Sequence, residues 1–224
     1  MVLGRTTLYE DGCLRKGRAF TMRDSYRDEL NATTELIVTV AGLVRTAVQD
    51  ATTALVTADL TVAERVISGD ARIDELTKEI EQRSFQLLAR QAPVAGELRT
   101  VVAVLRMSYS LDRMGDLAAH IAKIARLRYP ELAAPEPVAD QIKQMAETAD
   151  SMIATAITTL ENRDAEAAAG LATADSKMDE LRSDQFHLLL SDDWEYGVEK
   201  AVDTALLGRY YERIADHAVA MGAR

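Results

Sequence analysis

Residues 111–116 read LDRMGD, and residues 211–216 read YERIAD. Both stretches contain the pattern acid-Arg-x-x-Asp, and the second copy follows the first by 100 residues. Residues four apart lie on the same face of an α-helix, so each copy presents two carboxylates side by side. The pair therefore predicts a duplicated helical protein with a matching acidic site in each half.

The duplication extends beyond these two motifs. Asp59 and Asp70 correspond to Asp164 and Asp175 at an offset of 105 residues, and the offset becomes 100 after the longer connection at 91–99. A repeat of about 100 residues is too long for a solenoid unit. Two related three-helix bundles fit this length, and helices long enough to fill it can share one continuous core.

Hydrophobic periodicity predicts an all-α fold with six long helices. The scarcity of glycine (11), proline (4) and aromatic residues (5%) agrees with a helix bundle. The stretch Asp59-Leu60-Thr61 is predicted to end the first helix and to provide the cap of the second. The spacing places the helices at about 23–58, 61–91, 94–127, 138–161, 165–190 and, after a cap at 191–193, over the rest of the chain.

Four segments follow from this pattern. Residues 1–21 have no helical period and are predicted to be a disordered extension. Residues 22–128 form the first three-helix bundle, and residues 138–224 form the second. The connection at 129–137 holds three of the four prolines and is predicted to be a linker.

Charge and composition exclude several classes of protein. A formal net charge of -10 argues against nucleic-acid binding, which needs clustered Lys and Arg. Cys13 is the only cysteine, so an intramolecular disulfide is impossible. No apolar run approaches the length of a membrane span, and no signal peptide precedes the first helix. The sequence therefore predicts a cytoplasmic protein that is not inserted into a membrane.

The paired acids are candidate metal ligands. Asp112 with Asp116, and Glu212 with Asp216, place like charges one helical turn apart, which costs about 0.2–0.5 kcal/mol for each pair. A cation bound between the two carboxylates would make the pair stabilising. Carboxylate ligands suit a divalent metal or iron, and the sequence does not distinguish among Mg, Mn, Fe and Zn.

An acidic pair alone is weak evidence. With 36 acids in 224 residues, chance gives about six such pairs, most of them on solvated faces. The matching register and the apolar stripes on which the pairs lie make them informative, because buried acids need partners. A buried ion pair, with Arg113 or Arg213 as the partner, is an equally open alternative to a metal. Asp74 and Asp179, on the second and fifth helices, could complete the two sites.

No pattern for enzymatic catalysis is present. The chain has neither a Gly-x-Ser-x-Gly elbow nor a phosphate-cradling glycine loop. It also lacks the Glu-x-x-His pairs of di-iron carboxylate bundles. Two interpretations of the acidic motifs stay open, a carboxylate-bridged metal protein with a redox or storage role and a purely structural protein. Gly42, Gly115 and Gly208 are interpreted as sites of close helix packing.

Three stretches together resemble the PhoU family, the accessory regulators of bacterial phosphate-specific transport. They are residues 93–99 (PVAGELR), 112–116 (DRMGD) and 212–218 (ERIADHA). Residues 206–213 (LLGRYYER) are most similar to the actinobacterial branch. The resemblance covers nearly the whole chain from Met22 onwards.

The resemblance implies two three-helix bundles and a non-enzymatic protein of the cytoplasm, held at the inner face of the membrane by its partners. It implies negative regulation of phosphate uptake and phosphate-starvation signalling through contact with a sensor histidine kinase and the phosphate ABC transporter. It also implies a homodimer, and metal at the acidic motifs. The implied ligands are Asp112, Asp116, Glu212 and Asp216, with Asp74 and Asp179 opposite them.

Overall fold

The computed structural model describes residues 22–90, 95–162 and 165–223. Within these ranges the regular structure consists of α-helices without strands, which confirms the all-α prediction. The predicted disordered extension at 1–21 lies outside the described residues. The helices are α1 Met22–Thr57, α2 Leu60–Arg90, α3 Ala95–Arg128, α4 Glu136–Asn162, α5 Ala165–Leu189 and α6 Gly197–Gly222.

The helices are long, from 25 residues in α5 to 36 in α1. Each buries one face and exposes another, as the hydrophobic period of the sequence predicts. Among the described residues, no helix combines the length and the apolar character needed to cross a membrane.

The corner between α1 and α2 lies where the sequence predicts it. Ala58 has a positive φ of 51°, which turns the chain out of α1. The carboxylate of Asp59 then accepts a hydrogen bond from the backbone N–H of Val62 at 3.0 Å. Asp59 therefore caps the free N–H groups at the start of α2.

The fourth helix begins earlier than predicted, at Glu136. The carbonyl oxygen of Pro135 accepts hydrogen bonds from the N–H groups of Val138 and Ala139, both at 3.0 Å. Pro137 lies in the first turn of α4. Proline is compatible with that turn because the N–H it lacks would have no partner there. The predicted linker at 129–137 therefore overlaps the first turn of α4.

The start of the sixth helix was predicted wrongly. The cap expected at 191–193 is part of a non-helical turn, and α6 begins at Gly197. The indole N–H of Trp194 donates to the carbonyl of Gly197 at 2.9 Å, and the Trp194 ring contacts that of Tyr196. Gly197 has a φ of +80°, which L-residues rarely adopt, so the chain changes direction there before the helix can form.

The two bundles share one hydrophobic core. Helices α1, α2 and α3 pack together, as do α4, α5 and α6, while α3 packs on α6 and α1 packs on α4. Fully or nearly fully buried side chains from each of the helices α1 to α6 form a single cluster. Examples in chain order are Val44, Ile80, Leu111, Ile142, Met178 and Ile214.

Ion pairs reinforce both contacts between the bundles. Arg45 of α1 binds Asp150 of α4 through two hydrogen bonds of 2.7 and 2.8 Å. The Arg45 guanidinium lowers the pKa of the Asp150 carboxyl. A lowered carboxyl pKa stabilises the fold at neutral pH, and that contribution is lost as the pH falls through the folded-state pKa. Between α3 and α6, Arg128 donates to the buried Asp203 at 2.5 Å.

The three glycines singled out from the sequence differ in their surroundings. A Cβ on Gly208 would lie 1.9 Å from the Gln185 side chain, and a Cβ on Gly115 would lie 3.2 Å from Asp70. These two glycines do permit close helix packing. Gly42 has nothing within 4 Å of its Cβ position. The interpretation of Gly42 as a packing glycine is wrong, because that side of α1 is open.

Candidate functional site

Four aspartates meet between α2 and α3 in the first bundle. Asp70 and Asp74 come from α2, and Asp112 and Asp116 come from α3; we call them the first acidic cluster. Gly115 lets the Asp70 carboxylate lie against α3. The Oδ1 atom of Asp70 is buried there without a hydrogen-bond partner. A buried carboxylate oxygen without a donor is a position where a cation or a proton is stabilised.

The electrostatics of the first acidic cluster favour neutralisation. Burial, followed by the charges of Asp116 and Asp74, raises the pKa of Asp70. Burial also raises the pKa of Asp112, although a 3.0 Å hydrogen bond from the Thr77 hydroxyl opposes this shift. The cluster therefore holds its charges at a cost when no cation is present.

We expect Asp70→Asn to raise the free energy of unfolding at pH 7 by on the order of 1 kcal/mol in metal-free buffer, because it removes a partly buried charge and its repulsion from neighbouring carboxylates. A raised carboxyl pKa destabilises the fold above that pKa, and the destabilisation vanishes as the pH falls towards the unfolded-state pKa. The gain should therefore shrink on acidification. Urea unfolding at several pH values measures it, and a variant less stable than the wild type at pH 7 would contradict it.

A second acidic cluster occupies the equivalent place between α5 and α6. It consists of Asp175 and Asp179 from α5 and of Glu212 and Asp216 from α6. Burial raises the pKa of Asp175, and the charges of Asp179, Asp216 and Glu212 raise it further. The structure thus brings all six predicted site residues into two clusters and adds Asp70 and Asp175 to them.

The arginine of each motif pairs with the motif's own last acid. Arg113 binds Asp116 at 2.9 Å, and Arg213 binds Asp216 at 2.9 Å. Ion pairs with these arginines therefore form in both halves, but they lie at the surface and are not the buried pairs that the sequence left open. All four side chains are at least a third exposed, so each pair contributes about 0–1 kcal/mol.

The second acidic cluster contains two further arginines. Arg182 of α5 contacts Glu212 at 3.4 Å, and Arg209 contacts the same carboxylate at 2.5 Å. The sequence analysis missed Arg182. The repeat could have revealed it. Arg182 lies 105 residues after Thr77, so the second half has a cation where the first half has a neutral residue.

Neither cluster forms a closed set of ligands. Within the described ranges, no three Asp, Glu, His or Cys side chains converge in the way that metal ligands do. The donor chemistry of the first cluster fits a hard cation, since it offers carboxylate oxygens, one of them buried and unpartnered.

Fold and clusters together define a class: over the described residues, a duplicated protein of six helices with one carboxylate cluster in each bundle. The family model described as "PhoU domain" matches residues 37–125 and 142–224. The chain belongs to the PhoU family, which confirms the resemblance found in its sequence.

Named relatives match over nearly their whole length. The chain is 42% identical to "Phosphate-specific transport system accessory protein PhoU homolog 2" of Mycobacterium tuberculosis, over 91% of this chain and 95% of that protein. It is 30% identical to the PhoU homolog of Caulobacter vibrioides, over 87% of this chain and 85% of that one. The crystal structure of PhoU from Pseudomonas aeruginosa superposes with a TM-score of 0.84 at 25% identity, covering 88% of this chain and 95% of the other.

Proposed function

We propose that this chain is a negative regulator of phosphate uptake and phosphate-starvation signalling. It acts without catalysis, by contact with a sensor histidine kinase and the phosphate ABC transporter at the inner face of the membrane. The observation that carries the proposal is the 42% identity with a mycobacterial accessory protein of phosphate-specific transport across 91% of the chain. Similarity across both bundles supports a role for the whole molecule rather than for one half.

Exposed apolar side chains support a role in protein contact. They lie where α5 ends and α6 begins. Those on α6 are four residues apart and share a face of that helix. Apolar side chains grouped on a surface mark sites of protein interaction. We call this group the α5–α6 patch; its members are Phe186, Leu190, Val198, Val202 and Leu206. Contact with a partner or a second copy of the chain, as in a homodimer, would cover it.

The proposal includes a divalent cation or iron at the first acidic cluster. Asp70, Asp74, Asp112 and Asp116 would hold it, and its charge would offset the repulsion between α2 and α3. The buried and unpartnered oxygen of Asp70 supports this assignment, as does the raised pKa of Asp112. The cation is proposed to stabilise the regulatory conformation rather than to take part in a reaction.

The regulatory role is tested in cells that lack their own copy of the gene. A phosphate-starvation promoter drives a reporter in medium rich in phosphate. We expect the deletion to switch the reporter on and the full chain to switch it off. A reporter that responds to neither change would overturn the proposed regulation.

The protein contacts are tested by co-purification with the kinase and the transporter. Leu190 and Val198 are 82% and 80% exposed, so Leu190→Ser/Val198→Ser should fold normally and yet lose the partners. Leu127→Ser is the matched control, because Leu127 is 68% exposed on α3. Loss of partners in the control alone, or retention in all variants, would contradict contact through the α5–α6 patch.

A further inference from the structure

We infer that Arg182 is the resident cation of the second acidic cluster and closes that cluster to divalent metal. The family resemblance implies metal at both acidic motifs. The side chains of the second acidic cluster do not fit that expectation. The inference concerns the second cluster by itself. Only its corollary, that the chain has a single metal site in the first bundle, rests on the proposed function.

The Arg182 guanidinium is fixed inside the second cluster. Its side chain is 12% exposed, and its Nε lies 3.4 Å from a carboxylate oxygen of Glu212. Its Nη1 donates to the side-chain carbonyl of Gln185 at 2.6 Å, and its Cζ lies 3.9 Å from the centre of the Phe186 ring. The hydrogen bonds engage the edge of the guanidinium and the stacking engages its face. The side chain therefore has little conformational freedom.

The neighbours of Arg182 are arranged to hold it. Gln185 is fully buried. Its amide oxygen lies only 1.9 Å from the position that a Cβ on residue 208 would take. Only glycine at 208 admits this amide between α5 and α6. Arg182, Gln185 and Gly208 thus form one unit that spans the two helices.

The first bundle lacks every part of this unit. The positions of Arg182, Gln185 and Gly208 correspond to Thr77, Ile80 and Ser108. Thr77 donates a hydroxyl hydrogen bond to Asp112 and brings no charge. The two clusters therefore contain the same number of carboxylates, while a buried cation is built into only one of them.

The positive charge at Glu212 opposes a metal. Arg182 and Arg209 both contact this carboxylate, whereas the Arg213–Asp216 pair has its equivalent in the first cluster and does not distinguish the two. A guanidinium stays protonated in proteins, so a divalent cation cannot displace the charge by taking a proton's place. It would have to approach fixed like charges and compete for carboxylate oxygens that already accept hydrogen bonds. In the first bundle, Tyr109 stands at the position of Arg209.

Exchange of the paired residues tests the inference. Mn²⁺ is titrated into the full chain, and the electron paramagnetic resonance signal of free Mn²⁺ gives the number bound. We expect one equivalent for the wild type, two for Arg182→Thr and none for Thr77→Arg. Arg182→Lys is the matched control and should bind one, because it keeps the charge.

Further variants assign each equivalent to a cluster. The second Mn²⁺ of Arg182→Thr should disappear when Glu212→Gln is added, and the wild-type Mn²⁺ should disappear in Asp112→Asn/Asp116→Asn. A wild type that binds two equivalents, one of them lost on Glu212→Gln, would overturn the inference. So would an Arg182→Thr variant of normal helix content that binds no more than the wild type.

Failure of the metal assignment in the first cluster is distinguishable from failure of this inference. A wild type that binds no Mn²⁺, beside an Arg182→Thr variant that gains one equivalent, would remove the first-cluster metal and support Arg182 as the resident cation. If Arg182→Thr does not fold, Thr77→Arg decides: retention of the wild-type equivalent would show that an arginine at this position does not exclude Mn²⁺.

Discussion

Replacing Tyr211 with alanine is expected to lower the free energy of unfolding by about 3–5 kcal/mol, the range for removing a fully buried aromatic side chain. Tyr211 is fully buried in α6, directly before the acids of the second motif. Its hydroxyl lies 2.8 Å from the Thr52 hydroxyl of α1. Since the Thr52 hydroxyl donates to the carbonyl of Val48, Tyr211 is the donor in this pair. The ring therefore fills the core, and the hydroxyl links α6 to α1 of the first bundle.

Tyr211→Phe separates packing from hydrogen bonding. It keeps the ring and removes one hydrogen bond, so the loss should be about 1 kcal/mol. Urea unfolding followed by circular dichroism measures both variants. Equal losses for alanine and phenylalanine would contradict the expectation that ring packing dominates, and a loss under about 1 kcal/mol for alanine would contradict burial of the ring.

The helical architecture could be predicted because its determinants are local and repeated. Long apolar periods predict the helices α1 to α6, and Asp59 provides the cap at the corner between α1 and α2. The start of α6 was missed because it depends on side chains that meet only in the folded turn. An acidic stretch at 191–193 looks like a cap, whereas Trp194 and the positive φ of Gly197 delay the helix.

The sequence predicts which acids pair in each cluster, but it does not predict how many positive charges lie among them. Spacing alone places Asp112 beside Asp116 and Glu212 beside Asp216. The contribution of Asp70 depends on how closely α2 approaches α3 at Gly115, which no one-dimensional pattern specifies. The charge balance of the second cluster depends on where long arginine side chains lie.

The first cluster should also depend on the core beneath it. Leu111 is fully buried and lies one residue before Asp112, at the position that Tyr211 occupies in the second bundle. We expect Leu111→Ala to lower the free energy of unfolding by about 3–5 kcal/mol, the transfer term plus the cost of the cavity. The upper half of that range is expected because α3 contacts α1, α2 and α6, so surrounding helices cannot close on the cavity without losing other contacts.

Two variants test whether this effect comes from burial. Leu127→Ala, on the same helix with a side chain that is 68% exposed, should change the free energy of unfolding by less than about 0.5 kcal/mol. Leu111→Met keeps most of the volume and should cost less than about 1.5 kcal/mol. Similar losses for Leu111→Ala and Leu127→Ala would place Leu111 outside the core. A large loss confined to Leu111→Ala would show that α3 is packed into the core at the residue directly before Asp112.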